Sequence, residues 1–273
     1  MTRTAHKLQD TEERIFMSKI KQAFENKKAF IAFITCGDPD LQTTIESVCA
    51  AADNGADLIE LGIPFSDPTA EGPVIQGANI RALKGGVTTD KIFDAVKKIR
   101  ETVSIPLVFM TYANVVFSYG AERFMKKCNE IGIDGLILPD VPFEEKGEFL
   151  HECEKYGVDL ISLIAPTSDD RVGMIAKEAK GFIYIVSSLG VTGERSKITT
   201  DLNSLVSKVR ESTDTPCAIG FGISTPEQAK NMADISDGVI VGSAIVKIIE
   251  KYGSNAPKYV GEYVKEMKNA LCK

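Results

Sequence analysis

Residues 217–243 read CAIGFGISTPEQAKNMADISDGVIVGS, and this stretch shows the repeating unit of the whole chain. Two short apolar runs, Cys217–Ile219 and Gly238–Val241, flank a polar segment, and each run is followed by a glycine-containing turn. Such near-continuous hydrophobicity is typical of parallel strands that are covered on both faces. The stretch therefore predicts a strand–helix–strand unit of a parallel β/α fold.

Similar apolar runs recur along the chain and alternate with segments that have helical periodicity. The eight runs are Phe30–Thr35, Asp57–Leu61, Leu107–Thr111, Gly135–Leu138, Asp159–Ile164, Phe182–Val186, Cys217–Ile219 and Gly238–Val241. No charged or proline-rich linker separates the units, so they predict one α/β domain over residues 1–273, a single (β/α)8 TIM barrel.

Two additions to the barrel are also expected. An amphipathic helix, about Thr11–Asn26, lies in an N-terminal extension of about residues 1–28 and should cover the bottom of the barrel. A short extra helix is expected after the eighth strand, where Gly242 and Ser243 open a helical segment.

Composition excludes several classes of protein. The 273 residues carry a net charge of −6, with 44% hydrophobic and 26% charged residues, which is ordinary for a globular protein and excludes a disordered chain. There is no apolar stretch of about 20 residues to span a membrane, and no secretory signal is evident. The acidic balance argues against nucleic-acid binding. Six dispersed cysteines without a C-x-x-C pair, and only two histidines, disfavour a metal site and indicate reduced thiols in a cytoplasmic protein.

Glycines after the last strands predict a phosphate site. Gly220-Phe221-Gly222 follows the seventh run, Gly242-Ser243 opens a helix after the eighth, and Gly193 closes a third glycine loop after the sixth. Glycine lets the backbone approach an anion closely, and a helix N-terminus offers unpaired N–H groups. The alternative is that these glycines only form tight turns between strand and helix.

Carboxylates at strand ends are candidates for acid–base chemistry. Glu60 alternates with Leu58, so both are expected to point into the barrel, where apolar surroundings raise the pKa of a carboxyl group. A structural, paired glutamate is the open alternative. Asp140 follows the fourth run, but its flanking prolines make a turn-stabilising role almost equally reasonable. Glu71, judged by its polar loop alone, reads as a surface carboxylate.

Missing residue types narrow the chemistry further. No strand ends in lysine, which disfavours a Schiff-base aldolase, and no His or Cys cluster supports a metal aldolase. General acid–base chemistry on a small phosphorylated molecule remains, either isomerisation or carbon–carbon cleavage of a substrate that supplies its own electron sink.

Residues 60–76, ELGIPFSDPTAEGPVIQ, resemble the signature of the tryptophan synthase alpha subunit family. The resemblance extends over nearly the whole chain, through FITCGDPD, MTYANVVF, PDVPFEE, LGVTGERS, GFGISTPEQ and GSAIVKIIE in the family's order. It implies cleavage of indole-3-glycerol phosphate to indole and D-glyceraldehyde 3-phosphate, without a cofactor or metal. It also implies an α2β2 complex with a beta subunit, which uses pyridoxal phosphate to join indole to serine.

The resemblance assigns roles to individual residues. Glu60 becomes the main acid–base group, and Glu71 the second catalytic carboxylate, at a position where the family usually has Asp. Substrate-binding positions are Phe33, Met110, Tyr112, Ile137, Tyr184, Thr192 and Phe221. Phosphate-binding positions are Gly193, Gly222, Gly242 and Ser243. Positions facing the beta subunit are Pro64, Asp67, Asn114 and Pro142. Ser188 departs from members that carry Arg there.

Other functions stay open at this point. A related phosphosugar isomerase would lack the loop of residues 64–73. A non-catalytic activator of a beta subunit would not need both Glu60 and Glu71. A standalone indole-releasing lyase would use the same catalytic residues as the alpha subunit family. The polar loops 64–73 and 189–197 are expected to be mobile on the barrel rim and to close for catalysis.

Overall fold

Parallel strands form at each of the predicted apolar runs. The computed structural model describes residues 18–168, 171–187, 202–220 and 222–272. Within these residues the strands are β1 (Ala29–Thr35), β2 (Leu58–Gly62), β3 (Leu107–Met110), β4 (Gly135–Ile137), β5 (Asp159–Leu160), β6 (Ser162–Ile164), β7 (Ile183–Val186), β8 (Cys217–Gly220) and β9 (Gly238–Val241).

The predicted fifth strand is divided into β5 and β6 at Ile161. β5 pairs with β4, through Gly135 and Leu136, whereas β6 pairs with β7. The backbone N–H of Ile161 still donates to the carbonyl of Leu136 at 2.9 Å. The chain therefore changes its neighbour at this residue, which is why one apolar run becomes two short strands.

Helices cover the outside of the strands. They are α1 (Lys19–Gln22), α2 (Leu41–Asp53), α3 (Pro73–Lys84), α4 (Thr89–Arg100), α5 (Ala113–Tyr119), α6 (Ala121–Ile131), α7 (Gly147–Lys155), α8 (Val172–Lys177), α9 (Leu202–Arg210), α10 (Pro226–Ile235), α11 (Ser243–Tyr252) and α12 (Ala256–Leu271). Single 3₁₀ turns occur at Phe143–Glu145, Pro166–Ser168 and Gly253–Asn255. The expected extra helix after the last strand is present, since α11 and α12 both follow β9. None of the described helices is long and apolar enough to cross a membrane.

The sheet order is β5-β4-β3-β2-β1-β9-β8-β7-β6, and each strand runs parallel to its neighbours in this order. The two ends of this order, β5 and β6, are joined directly through Ile161. The sheet thus returns to its own start, and the predicted TIM barrel is confirmed.

Alternation along the strands separates two apolar layers. In β1, Ala29, Ile31 and Phe33 belong to the cluster inside the barrel, while Phe30 and Ile34 pack between the strands and the helices. Because side chains of a strand point to opposite faces in turn, every strand contributes to both layers. This alternation decides which side chains reach the mouth of the barrel.

The N-terminal segment covers the bottom of the barrel, as predicted. Ile20 of α1 is fully buried. Its Cδ1 packs on two glycines, and a Cβ added at Gly135 or Gly181 would lie only 2.9 or 3.3 Å from it. Phe24 packs on Phe182 with ring centroids 5.7 Å apart. The helix predicted over about Thr11–Asn26 already ends at Gln22, and its residues before Ser18 lie outside the described ones.

Candidate active site

Glu60 lies inside the barrel, near the end of β2. It pairs in register with Phe33 of β1 and Val108 of β3, and it is 1% exposed. Its Oε1 atom has no hydrogen-bond partner among the described residues. Burial, and then the charge of Glu71, raise the pKa of Glu60 from 4.5 to about 8. The inward orientation expected from the alternation is therefore present, and the carboxyl group is protonated near neutral pH.

Glu71 is buried as well, so its interpretation as a surface carboxylate from the loop sequence alone is wrong. It is 6% exposed, and its Oε2 accepts a hydrogen bond from Nδ2 of Asn79 at 2.8 Å. The Glu71 carbonyl accepts from Nε2 of Gln76 at 2.7 Å. Burial raises the pKa of Glu71 to about 7, and the hydrogen bond from Asn79 opposes that rise.

Hydrogen bonds hold the C-terminal end of the loop that carries Glu71. The hydroxyl of Tyr112 accepts from the Ala70 N–H at 3.0 Å, and its ring lies 5.1 Å from that of Phe65. Tyr112 is 2% exposed, and it appears in neither of the two cavity linings described below. Tyr112 therefore supports the loop, and its expected role in substrate binding stays a prediction.

Two aromatic rings occupy space that glycines leave open in the barrel mouth. A Cβ at Gly62 would lie 2.9 Å from Cε2 of Phe33, and a Cβ at Gly220 would lie 2.7 Å from Cζ of Tyr184. Both rings are therefore folded across the backbone of a neighbouring strand. Burial, and next the charge of Glu60, raise the pKa of Tyr184 well above 10, so its hydroxyl stays protonated.

The predicted phosphate rim lies beside these groups. Gly222 has a φ of +79°, a left-handed conformation that favours glycine. Gly242 precedes α11, and Ser243 is its first residue. The N-terminus of α11 therefore offers backbone N–H groups at the same mouth. Gly193 of the predicted rim lies outside the described residues.

A small cavity connects the rim to the carboxylate. It is lined by Phe33, Glu60, Ile75, Met110, Tyr184, Ile240, Gly242 and Ser243. The structure thus brings together six residues that the sequence predicted for different roles, namely Phe33, Glu60, Met110, Tyr184, Gly242 and Ser243. Ile75 and Ile240 were not predicted.

A larger apolar cavity adjoins the first one at Met110, which lines both. It is open to solvent, and its lining is apolar at Ala70, Leu138, Ile161, Leu163 and Val186 but charged toward α7 and α8, at Lys146, Arg171, Glu178 and Lys180. The sequence analysis missed these residues. Ile137, predicted for the aromatic pocket, is fully buried in the same inner cluster as Phe33, Met110 and Tyr184, but it lines neither cavity. Thr192, Phe221 and Ser188 lie outside the described residues.

Asp140 binds the N-terminus of α5. Its two carboxylate oxygens accept from the N–H of Ala113 at 3.1 and 3.2 Å, at the beginning of α5. This contact favours the structural alternative left open for Asp140.

Of the residues expected to face a partner, Asp67, Asn114 and Pro142 are exposed, whereas Pro64 is buried. In residues 18–168, 171–187, 202–220 and 222–272, no group of three His, Cys, Asp or Glu side chains could hold a metal ion.

Comparison with known proteins agrees with this geometry. A family model described as tryptophan synthase alpha chain matches residues 17–272. The tryptophan synthase alpha chain of Lacticaseibacillus casei is 49% identical over 257 residues, which cover 94% of this chain and 97% of the relative. That of Lactiplantibacillus plantarum is 51% identical over 256 residues, covering 93% and 97%.

Solved structures lead to the same family. A chain of Mycobacterium tuberculosis tryptophan synthase has a TM-score of 0.85 and 33% identity, and the match covers 93% of this chain and 98% of that one. A chain of the Pyrococcus furiosus tryptophan synthase α2β2 complex has a TM-score of 0.81 and 35% identity, covering 88% and 98%. The chain therefore belongs to the tryptophan synthase alpha chain family, whose lyase reaction cleaves indole-3-glycerol phosphate.

Proposed function

We propose that Glu60 and Glu71 together carry out this family's reaction in this chain, releasing indole and D-glyceraldehyde 3-phosphate. The observation that carries the proposal is the position of Glu60, a buried carboxyl group that lines the small cavity together with Gly242 and Ser243, while Met110 of the same lining opens onto the larger cavity. Burial raises the pKa of Glu60 to about 8, so that it holds a proton to donate near neutral pH.

The two cavities fit the two halves of the substrate. The phosphate is bound by backbone N–H groups at Gly222 and at the start of α11, where the dipole of the helix favours an anion. The indole ring extends past Met110 into the larger cavity, which is largely apolar. Glu60 then lies beside the bond that joins the ring to the glycerol phosphate chain.

The chemical step needs only proton transfers. Glu60 donates its proton to C3 of the indole ring, and the positive charge that develops on the ring nitrogen is stabilised by the carboxylate of Glu71. The ionised Glu60 then accepts the proton of the hydroxyl on the neighbouring carbon. The C3–C1′ bond breaks, its electron pair returns to the ring, and the hydroxyl carbon becomes the aldehyde.

We also propose that the chain assembles with a beta subunit as an α2β2 complex. Asp67, Asn114 and Pro142 are exposed on the rim, and Phe117 of α5 is 50% exposed close to Asn114 in the chain. Exposed aromatic side chains of this kind are common in protein interfaces. Through them a partner would contact the loop that carries Glu71, and the indole would pass to the partner's site.

The role of Glu71 is tested by a pair of substrates. Steady-state rates are measured for wild type and Glu71→Gln, with indole-3-glycerol phosphate and with its analogue methylated on the ring nitrogen. The variant should lose about 10²-fold or more in kcat/KM with the normal substrate, and much less with the analogue, which has no N–H to bind. An equal loss with both substrates would contradict the assignment.

A further inference from the structure

Asn79 binds the Glu71 carboxylate from a rigid part of the barrel. The two side chains are 4% and 6% exposed, and the distance from Nδ2 of Asn79 to Oε2 of Glu71 is 2.8 Å. Gln76 and Tyr112 bind the backbone on either side of the same carboxylate, not its oxygens. Asn79 therefore acts on the functional group, whereas the other two act on the path of the loop.

Helix α3, which carries Asn79, is tied to two other elements. Arg81 donates through Nε and Nη2 to both carboxylate oxygens of Asp38, at 2.8 Å each, directly after β1. Its Nη1 also donates to Glu250 of α11 at 2.7 Å. Bidentate Arg–carboxylate pairs fix geometry as well as charge, and Asp38 is 1% exposed. The amide of Asn79 is thus held in place independently of the loop.

We propose that Asn79 is a positioning residue, which orients the carboxylate of Glu71 toward the substrate and stabilises its charged form. This inference rests on the function proposed for Glu71. The contact depends on side-chain length, because the amide of Asn79 meets the carboxylate of Glu71 at 2.8 Å.

The burial of Glu71, among described groups that offer no positive charge, explains why such a donor is needed. Glu60 faces it from β2, and Tyr112 faces it from the residue before α5. Neither group favours a second negative charge, and burial raises the pKa of Glu71 to about 7. The hydrogen bond from Asn79 lowers this pKa. An amide does not titrate, so its support for the carboxylate persists over the whole working range of pH.

Asn79→Leu removes the donor with little change in size. We expect kcat for indole-3-glycerol phosphate to fall about 10- to 100-fold, as for other residues that orient a functional group, with a smaller change in KM. The acidic limb of the kcat/KM profile should move to higher pH, because the pKa of Glu71 rises. Gln76→Leu is the matched control: it removes a bond to the Glu71 carbonyl and should leave the limb in place.

Exchange of side-chain lengths provides the rescue. Glu71→Asp and Asn79→Gln should each lower kcat, and the double variant should recover at least about tenfold relative to the poorer single variant. Thermal unfolding of each variant shows which ones fold. A limb that does not move in Asn79→Leu, or a double variant no better than the singles, would overturn the proposal.

The pKa of Glu71 can also be measured without any catalytic turnover, which separates this inference from the proposed function. In protein labelled with ¹³C at the glutamate carboxyl carbons, the Glu71 resonance is identified by its loss in Glu71→Gln, and its titration is compared between wild type and Asn79→Leu. If wild type releases no indole, the proposed function fails, and this titration still decides the inference. An unchanged midpoint in Asn79→Leu contradicts it.

Discussion

Replacing Glu60 by glutamine should abolish activity and at the same time stabilise the fold at alkaline pH. Glutamine keeps the shape of the side chain but cannot donate a proton to the indole ring. Loss of a general acid–base group lowers rates by roughly 10²–10⁴-fold. The phosphate rim is built from other residues, so phosphate binding should change little.

The effect on stability follows from the burial of Glu60. In the folded chain its pKa is raised from 4.5 to about 8, so the folded state retains a proton that the unfolded state releases between those values. Stability of the wild type therefore decreases as pH rises from about 5 to 8. Each unit of difference in pKa between the folded and unfolded states corresponds to about 1.4 kcal/mol, so the stability lost over this pH range is on the order of 4 kcal/mol. Glutamine carries no such penalty.

The assay combines indole release with urea unfolding at several pH values. The free energy of unfolding of Glu60→Gln, relative to wild type, should increase steadily from pH 5 to pH 8. Glu148→Gln, at an exposed position on α7, is the control and should follow the wild type in both measurements. The reasoning is refuted if Glu60→Gln keeps more than about a tenth of the wild-type rate, or if its relative stability is independent of pH.

Three further substitutions test the surroundings of the site. Gly222→Val should raise KM for indole-3-glycerol phosphate at least about tenfold, because a side chain would enter the anion's place and the φ of +79° disfavours it; an unchanged KM in steady-state kinetics would remove Gly222 from the rim. Gly220→Ala should displace the ring of Tyr184 and cost about 1–3 kcal/mol in urea unfolding, and wild-type stability together with wild-type kcat would argue against this packing. Asp140→Ala removes the bonds to the N–H of Ala113 and should cost about 1 kcal/mol in the same assay, with kcat nearly unchanged; a loss of turnover at wild-type stability would instead indicate a catalytic Asp140.

The barrel could be predicted from the sequence because its signal is local. Each run of apolar residues is a strand, and the alternation of Leu58 and Glu60 correctly indicates that both face inward. The interruption at Ile161 could not be predicted, because Ile161 is apolar and lies in the middle of the run Asp159–Ile164, with no glycine or proline to mark a break. Which neighbouring strand each half pairs with is decided by the closure of the barrel, not by the run itself.

The site was harder to predict wherever the decisive contact is distant. The loop around Glu71 is polar, and nothing in it indicates burial; the partner that holds its carboxylate, Asn79, is on the following helix. Tyr112 looks like a residue that binds an aromatic substrate, but its hydroxyl is used by Ala70. A polar residue on the buried face of α3, within reach of a loop carboxylate, is the signal that could have identified Asn79.

The most direct test of the central claim is the measurement of both products from one substrate. Purified chain is incubated with indole-3-glycerol phosphate, alone and with increasing amounts of a beta subunit without serine, and indole and D-glyceraldehyde 3-phosphate are quantified together. We predict equal amounts of the two products, a rate that rises as the complex forms, and release that is at least about 10²-fold slower with Glu60→Gln. Unequal products, or release by Glu60→Gln at more than about a tenth of the wild-type rate, would contradict cleavage by this carboxyl group.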